Sequence, residues 1–122
     1  MRKTIMVVED DPSLAEIFTV YLLRAGYMVV EVHTGTEAFR RLIYQKETPD
    51  AILLDMHLPG RSGDEIYGVL SQRGLAWRVV ICSADVLLIN RYRGQGATAI
   101  TKPVRLEELG ILISTIVGGA EL

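Results

Sequence analysis

Cysteine is almost absent from this chain. Cys82 is the only one in 122 residues, so an intrachain disulfide is excluded. Its place inside an apolar run marks it as a buried, inert thiol. A basic excess is missing too. Thirteen Lys and Arg stand against fifteen Asp and Glu, a formal net charge of −2, which leaves no electrostatic footprint for nucleic acid. Arg40-Arg41 and Lys102 are too few and too scattered to supply one. No apolar run approaches the roughly 20 residues needed to cross a bilayer. The N-terminal MRKTIMVVEDD starts basic, but its apolar stretch stops after four residues at an acidic cluster, unlike a secretory signal. The expected location is therefore the cytoplasm. There is no internal repeat, linker or second composition block, so residues 1–122 read as one domain. Its hydrophobic content of 49% suits a sheet covered on both faces.

What is present is an alternation of period. Residues 4–9 (TIMVVE) read as a buried strand. Pro12 suits the first turn of a helix, and Leu14, Ile17, Phe18, Tyr21 and Leu22 follow at helical spacing until Ala25-Gly26. A second strand at 28–33 leads through Thr34-Gly35-Thr36 to a helix carrying Phe39, Leu42 and Ile43. A third strand spans 50–55. Leu58 to Gly63 is a loop by composition, and the helix from Asp64 turns Ile66, Val69 and Leu70 to one face. Strands four and five fall at 78–82 and 97–101, and a last helix at about 104–117 carries Leu106, Leu109, Ile113 and Ile116. Residues 86–93 fit either helix or strand. Five strands alternating with five helices imply an α/β, flavodoxin-like doubly wound fold: a five-stranded parallel sheet in the order 2-1-3-4-5.

In that arrangement four polar signals reach one carboxyl edge. Glu9-Asp10-Asp11 follow the first strand, Asp55 ends the third, Ser83 follows the fourth and Lys102 the fifth. Consecutive acids repel one another, and a hard divalent cation with oxygen ligands relieves that. An acidic helix start explains Asp11-Pro12 equally well, and Asp55, at the same edge, favours the metal. Alone, Ser83 is a helix cap and Lys102 an ordinary loop lysine. Jointly, a hydroxyl and a fixed positive charge are what a phosphoryl group's oxygens need.

VVEDDP, LLDMHLPGRSG, VVICSAD and AITKP, in that order, resemble the four motif blocks of the receiver domain of two-component response regulators, the CheY-like superfamily. The likeness runs over essentially the whole chain. It implies that Asp55 is the phosphoacceptor, taking a phosphoryl group from a histidine kinase or phosphotransfer protein in a reaction dependent on Mg²⁺ (Mn²⁺ is a possible substitute). By the same resemblance Asp10 ligates the metal with Asp55, Glu9 reaches it through water, and the backbone carbonyl of His57 completes the protein ligands. Ser83 bonds a phosphoryl oxygen, with the small Ala84 leaving access. Lys102 pairs with the phosphate, and the Lys102-Pro103 bond is cis. The chain is then no enzyme beyond its own phosphorylation and dephosphorylation. His57 and Asp85 fall where the family often tunes phosphoryl lifetime; an exposed loop side chain is the plainer account of His57.

Two departures matter. Most receivers carry an aromatic residue two or three positions before the lysine, rotating with the hydroxyl residue on activation; Ala99 stands there. The stretch from Ser83 to Lys102 is short for the family, so a truncated or irregular fourth helix is expected. Val86 to Ile89 and Ile111 then suggest an apolar partner surface, for a homodimer or downstream effector, on the face of the fourth helix, fifth strand and fifth helix. No contact with nucleic acid or membrane is expected. A pseudo-receiver adaptor that signals without phosphorylation is the alternative, favoured by Ala99 and opposed by the complete acid–Ser–Lys set. An aspartyl-phosphate phosphohydrolase would need an acid where His57 stands. A flavin binder would be repelled by Glu9-Asp10-Asp11. A stand-alone receiver and the leading part of a longer regulator both fit.

Overall fold

The computed structural model describes residues 2–119. Its strands are β1 (Thr4–Val8), β2 (Met28–Val32), β3 (Ala51–Asp55), β4 (Val79–Ser83) and β5 (Thr98–Thr101). Its helices are α1 (Pro12–Arg24), α2 (Gly35–Phe39), α3 (Gly63–Gln72), α4 (Val86–Gly94) and α5 (Leu106–Gly119). All strands pair in parallel, in the order β2-β1-β3-β4-β5. The doubly wound order expected from the sequence is the one observed.

Burial follows strand position. Every residue of the central strands β3 and β4 is buried, while the edge strands β2 and β5 are partly open. Alternate strand residues serve opposite faces. Met6, Val8, Ile52, Leu54 and Ile81 pack with Phe39, Leu42, Ile66, Leu70, Ile89 and Tyr92 under α2, α3 and α4. Ile5, Val7, Leu53, Val80, Cys82 and Ile100 pack with Phe18, Leu22, Leu109, Ile113 and Ile116 under α1 and α5.

The helix starts are set by side-chain caps, which satisfy amides the helix leaves unpaired. Asp11 accepts from the N–H groups of Ser13 and Leu14, and Pro12 occupies the first turn of α1. Thr34, Ser62 and Asp85 cap α2, α3 and α4 through the amides of Glu37, Glu65 and Leu88. The cap at Asp85 resolves the ambiguity of residues 86–93. They form a regular α-helix, short as expected, with Ile89 and Tyr92 buried.

Several boundaries differ from the sequence reading by a residue or two. Glu9 lies outside β1, its N–H bonded to Val32 O. Asp50 lies outside β3, its carboxylate taking the Thr4 N–H at 2.8 Å. The last helix starts at Leu106 instead of 104. The helix read through Leu42 and Ile43 is α only to Phe39 and continues as a π turn, Arg40–Tyr44, and a 3₁₀ turn, Ala76–Arg78, before β4 had no counterpart in the pattern. Among the described residues no helix is long and apolar enough to cross a membrane.

Candidate functional site

β1 and β3 are neighbours, so their carboxyl ends bring Glu9, Asp10 and Asp55 together at the point where the chain order reverses. One ligand oxygen from each of these carboxylates lies within 4.8 Å of the others. Glu9 and Asp55 are each 2% exposed, whereas Asp10 faces solvent. Such an oxygen set fits Mg²⁺ or Mn²⁺, which take a few carboxylates and keep open positions for water and phosphate. Asp11 is drawn off to the helix start, where it caps α1.

Lys102 arrives from the far end of the sheet. Its Nζ donates to Glu9 Oε1 at 2.9 Å and to Asp55 Oδ2 at 3.1 Å. The Lys102 N–H bonds Ser83 O at 2.9 Å, and the Lys102-Pro103 peptide is cis, as the resemblance implied. Burial works against the ammonium charge. The hydrogen bond to Glu9 and the negative charge of Asp55 outweigh it and hold Lys102 above its usual range. Burial also dominates at Glu9, pushing its carboxyl up to about 7 against the opposing pull of Lys102 and the Asp11 amide. Cys82 is held by burial as a thiol, its pKa pushed up to about 12.

Around Asp55 the backbone is committed. Oδ1 accepts the His57 N–H at 3.0 Å, opposite the oxygen that Lys102 holds. Ser83, fully buried at the end of β4, accepts the Asp85 N–H at 3.0 Å through Oγ. Its Oγ also lies 3.0 Å from His57 Nε2. Ala84 and His57 are exposed beside it. The Asp85 carboxylate, an expected influence on water access, is engaged as the cap of α4.

The expected acids, serine and lysine therefore converge on one edge. Three contributors went unread in the sequence. The first is the bond between the His57 ring and Ser83, which no periodicity signals. The second is a staple that fixes the loop after Asp55: Gly35 N–H donates to Pro59 O at 2.9 Å, and a Cβ at Gly35 would collide with the Arg61 carbonyl. Gly60 adopts φ +83°, and a Cβ there would collide with the Thr36 hydroxyl. Above this staple the Arg61 guanidinium lies 3.9 Å from the Phe39 ring centre. The third is Tyr92, a buried aromatic supplied by α4 in the same cluster as Ala99. Its hydroxyl bonds Asp64 Oδ1, and its ring meets Tyr67 edge-on at 5.3 Å.

The apolar surface divides. Val86 and Leu87 are 53% and 81% exposed on α4. Ile111, 68% exposed, lines a groove with Tyr21, Ala25 and Tyr27 on the α1 side of α5, apart from them.

The model of the response regulator receiver domain matches residues 5–114. The DNA-binding response regulator MtrA of Mycolicibacterium smegmatis is 40% identical over 111 residues, 89% of this chain and 48% of that protein. The alkaline phosphatase synthesis transcriptional regulatory protein PhoP of Bacillus subtilis is 30% identical over 125 residues, all of this chain and 51% of that protein. The chain thus spans about half the length of these relatives. A CheY-like response regulator receiver domain protein from Methanospirillum hungatei superposes with a TM-score of 0.84 at 22% identity, covering 99% of this chain and 98% of that one. The chain belongs to the response regulator receiver domain family.

Proposed function

We propose that Asp55 is the phosphoacceptor of this receiver domain. A carboxylate oxygen of Asp55 attacks the phosphorus of a phosphohistidine on a sensor kinase or phosphotransfer protein. The P–N bond breaks, the imidazole leaves with the electron pair, and an acyl phosphate remains on Asp55. The observation that carries this reading is the Lys102 ammonium held within hydrogen-bonding distance of the Asp55 carboxylate, at a buried strand end. A carboxylate is a weak nucleophile, so the work lies in positioning and charge neutralisation.

Glu9, Asp10 and Asp55, with the His57 carbonyl, would hold Mg²⁺ or Mn²⁺, which when bound supplies positive charge to the phosphoryl oxygens. Lys102 neutralises a further oxygen, and the Ser83 hydroxyl donates to another. Water later cleaves the acyl phosphate, returning Asp55 to its starting state. His57, exposed over the site, limits that access. The partners are the kinase and an effector or second copy that reads the altered surface, with Val86 and Leu87 of α4 as its apolar centre.

The test is intact-protein mass after incubation with Mg²⁺ and a small acyl or amido phosphodonor, with Asp55→Asn alongside. One added phosphoryl group is expected, absent without the metal and absent in the variant. No addition to the wild type, with metal binding seen by another method, would sink the proposal and leave a phosphorylation-independent adaptor.

A further inference from the structure

The receiver family's switch couples the hydroxyl residue after β4 to an aromatic on β5, and Ala99 removes that aromatic here. Ser83 nevertheless has a side-chain partner. Its Oγ has one proton and two lone pairs. The Asp85 N–H fills one lone pair at 3.0 Å, and His57 Nε2 stands 3.0 Å away on another side. Among the described residues no hydrogen bond joins Ser83 to Asp55; the hydroxyl is engaged with the loop that follows the acceptor. We propose that His57 is the switching partner of Ser83: its ring accepts the Ser83 O–H hydrogen bond in the unphosphorylated chain and gives up that bond when the hydroxyl turns to a phosphoryl oxygen on Asp55.

The covalent layout supports this assignment. His57 touches both ends of the event, its N–H on Asp55 Oδ1 and its ring on Ser83 Oγ. Its loop cannot swing away as a body, because Pro59, Gly60 and Arg61 are stapled to the start of α2. The movable part is the exposed ring. On the other side of Ser83 the Asp85 N–H holds Oγ while the Asp85 carboxylate caps α4. A hydroxyl drawn towards Asp55 therefore releases the ring and pulls on the first turn of α4. His57 is a positioning residue: it acts through Ser83 and exchanges no proton with the phosphoryl group. The proton is shared as Ser83 O–H to Nε2, which places the ring's own N–H on Nδ1, in solvent.

The proposal rests on the phosphoacceptor reading, and nuclear magnetic resonance separates the two. The chain has two histidines, and His33, bonded to Glu31 at 3.0 Å on β2's side of the sheet, serves as internal control. In mildly alkaline buffer the His57 ring nitrogens should show the Nδ1–H tautomer. Mg²⁺ with beryllium fluoride, a phosphoryl mimic, should move the His57 ring signals towards those of Ser83→Ala and leave His33 in place. His57→Ala should bind beryllium fluoride about fivefold tighter, the size of one neutral hydrogen bond no longer contested, and His57→Gln should restore wild-type affinity. A stationary His57 ring with beryllium fluoride bound, an Nε2–H tautomer at the start, or weaker binding by His57→Ala overturns this proposal alone. Backbone amide signals unmoved by beryllium fluoride would overturn the phosphoacceptor reading as well.

Discussion

Lys102 and Glu9 settle their charge in opposite ways within one contact. The lysine keeps its proton because the negative Asp55 carboxylate and the hydrogen-bonding Glu9 carboxyl group both face it. Glu9 also holds on to one, because burial costs its charge more than the lysine returns. An acid whose folded pKa is raised binds its proton more tightly folded than unfolded. Stability is therefore full below the ordinary value of 4.5 and declines as pH rises towards about 7, with no further loss beyond. Without metal, the unfolding midpoint should fall across that window, and Glu9→Gln should flatten the fall. Mg²⁺ should raise the midpoint more above about pH 7 than near pH 5, because a metal ligand must be deprotonated. Calorimetric scans at both pH values check this; an equal metal effect at each would contradict the assignment of the raised group.

At this scale the convergence of the candidate residues was mostly legible. Glu9, Asp10, Asp55, Ser83 and Lys102 each follow a hydrophobic run, and a parallel sheet sends all such positions to one edge. The His57–Ser83 contact was not legible, because a loop rotamer reaching across 26 residues leaves no periodic trace. Nor was the competition over Glu9, which depends on burial that no single residue announces.

Among the elements, α4 and β5 show how the fold closes an edge where Ala99 offers little. Arg93 donates to Ala99 O from Nε at 3.0 Å and from Nη2 at 2.8 Å, occupying an edge-strand carbonyl that could otherwise pair with another chain. Tyr92, two positions along from Asn90 and one turn from Ile89, fills the space against Tyr67 and reaches Asp64 at the start of α3. Tyr92→Phe keeps the ring and loses that bond, and should cost about 1–2 kcal/mol. Tyr92→Ala also empties the cluster and should cost about 3–5 kcal/mol. Urea unfolding of the three proteins checks the order, and equal losses in both variants would show that the ring packing contributes nothing. Residues 86–93 resisted a sequence assignment because four successive apolar residues erase the helical period. The information lay one residue earlier, in the capping carboxylate of Asp85. The π turn at Arg40–Tyr44 had no such marker.

Across the whole molecule, apolar side chains are left in solvent in separate places. Ile17, Val20 and Leu23 lie on α1, Val86 and Leu87 on α4, and Ile111 on α5. The α4 pair adjoins the one helix start that is bonded, through Asp85, to the Ser83 hydroxyl. On the proposed reading, a change at Asp55 would reach this surface first, through Ser83. Sedimentation should show self-association that strengthens with Mg²⁺ and beryllium fluoride and is lost in Leu87→Asp. Monomers at every concentration in both states would exclude the dimer and leave a different protein as the reader of this face. The overall topology was legible because five alternations of period admit few arrangements of a parallel sheet. Which exposed residues form one surface was not, since that depends on how neighbouring helices are rotated about their axes.

The hydrogen bond from Lys102 to Asp55 joins residues 47 positions apart in the chain. During synthesis, then, the proposed nucleophile leaves the ribosome well before the charge that would activate it. A nascent or truncated chain ending anywhere in α4 carries Asp55 but lacks Lys102, and even its β4 edge is unpaired. On the proposed reading, phosphorylation of Asp55 would thus be deferred until the last strand has docked, so that only chains carrying β5 could report a signal.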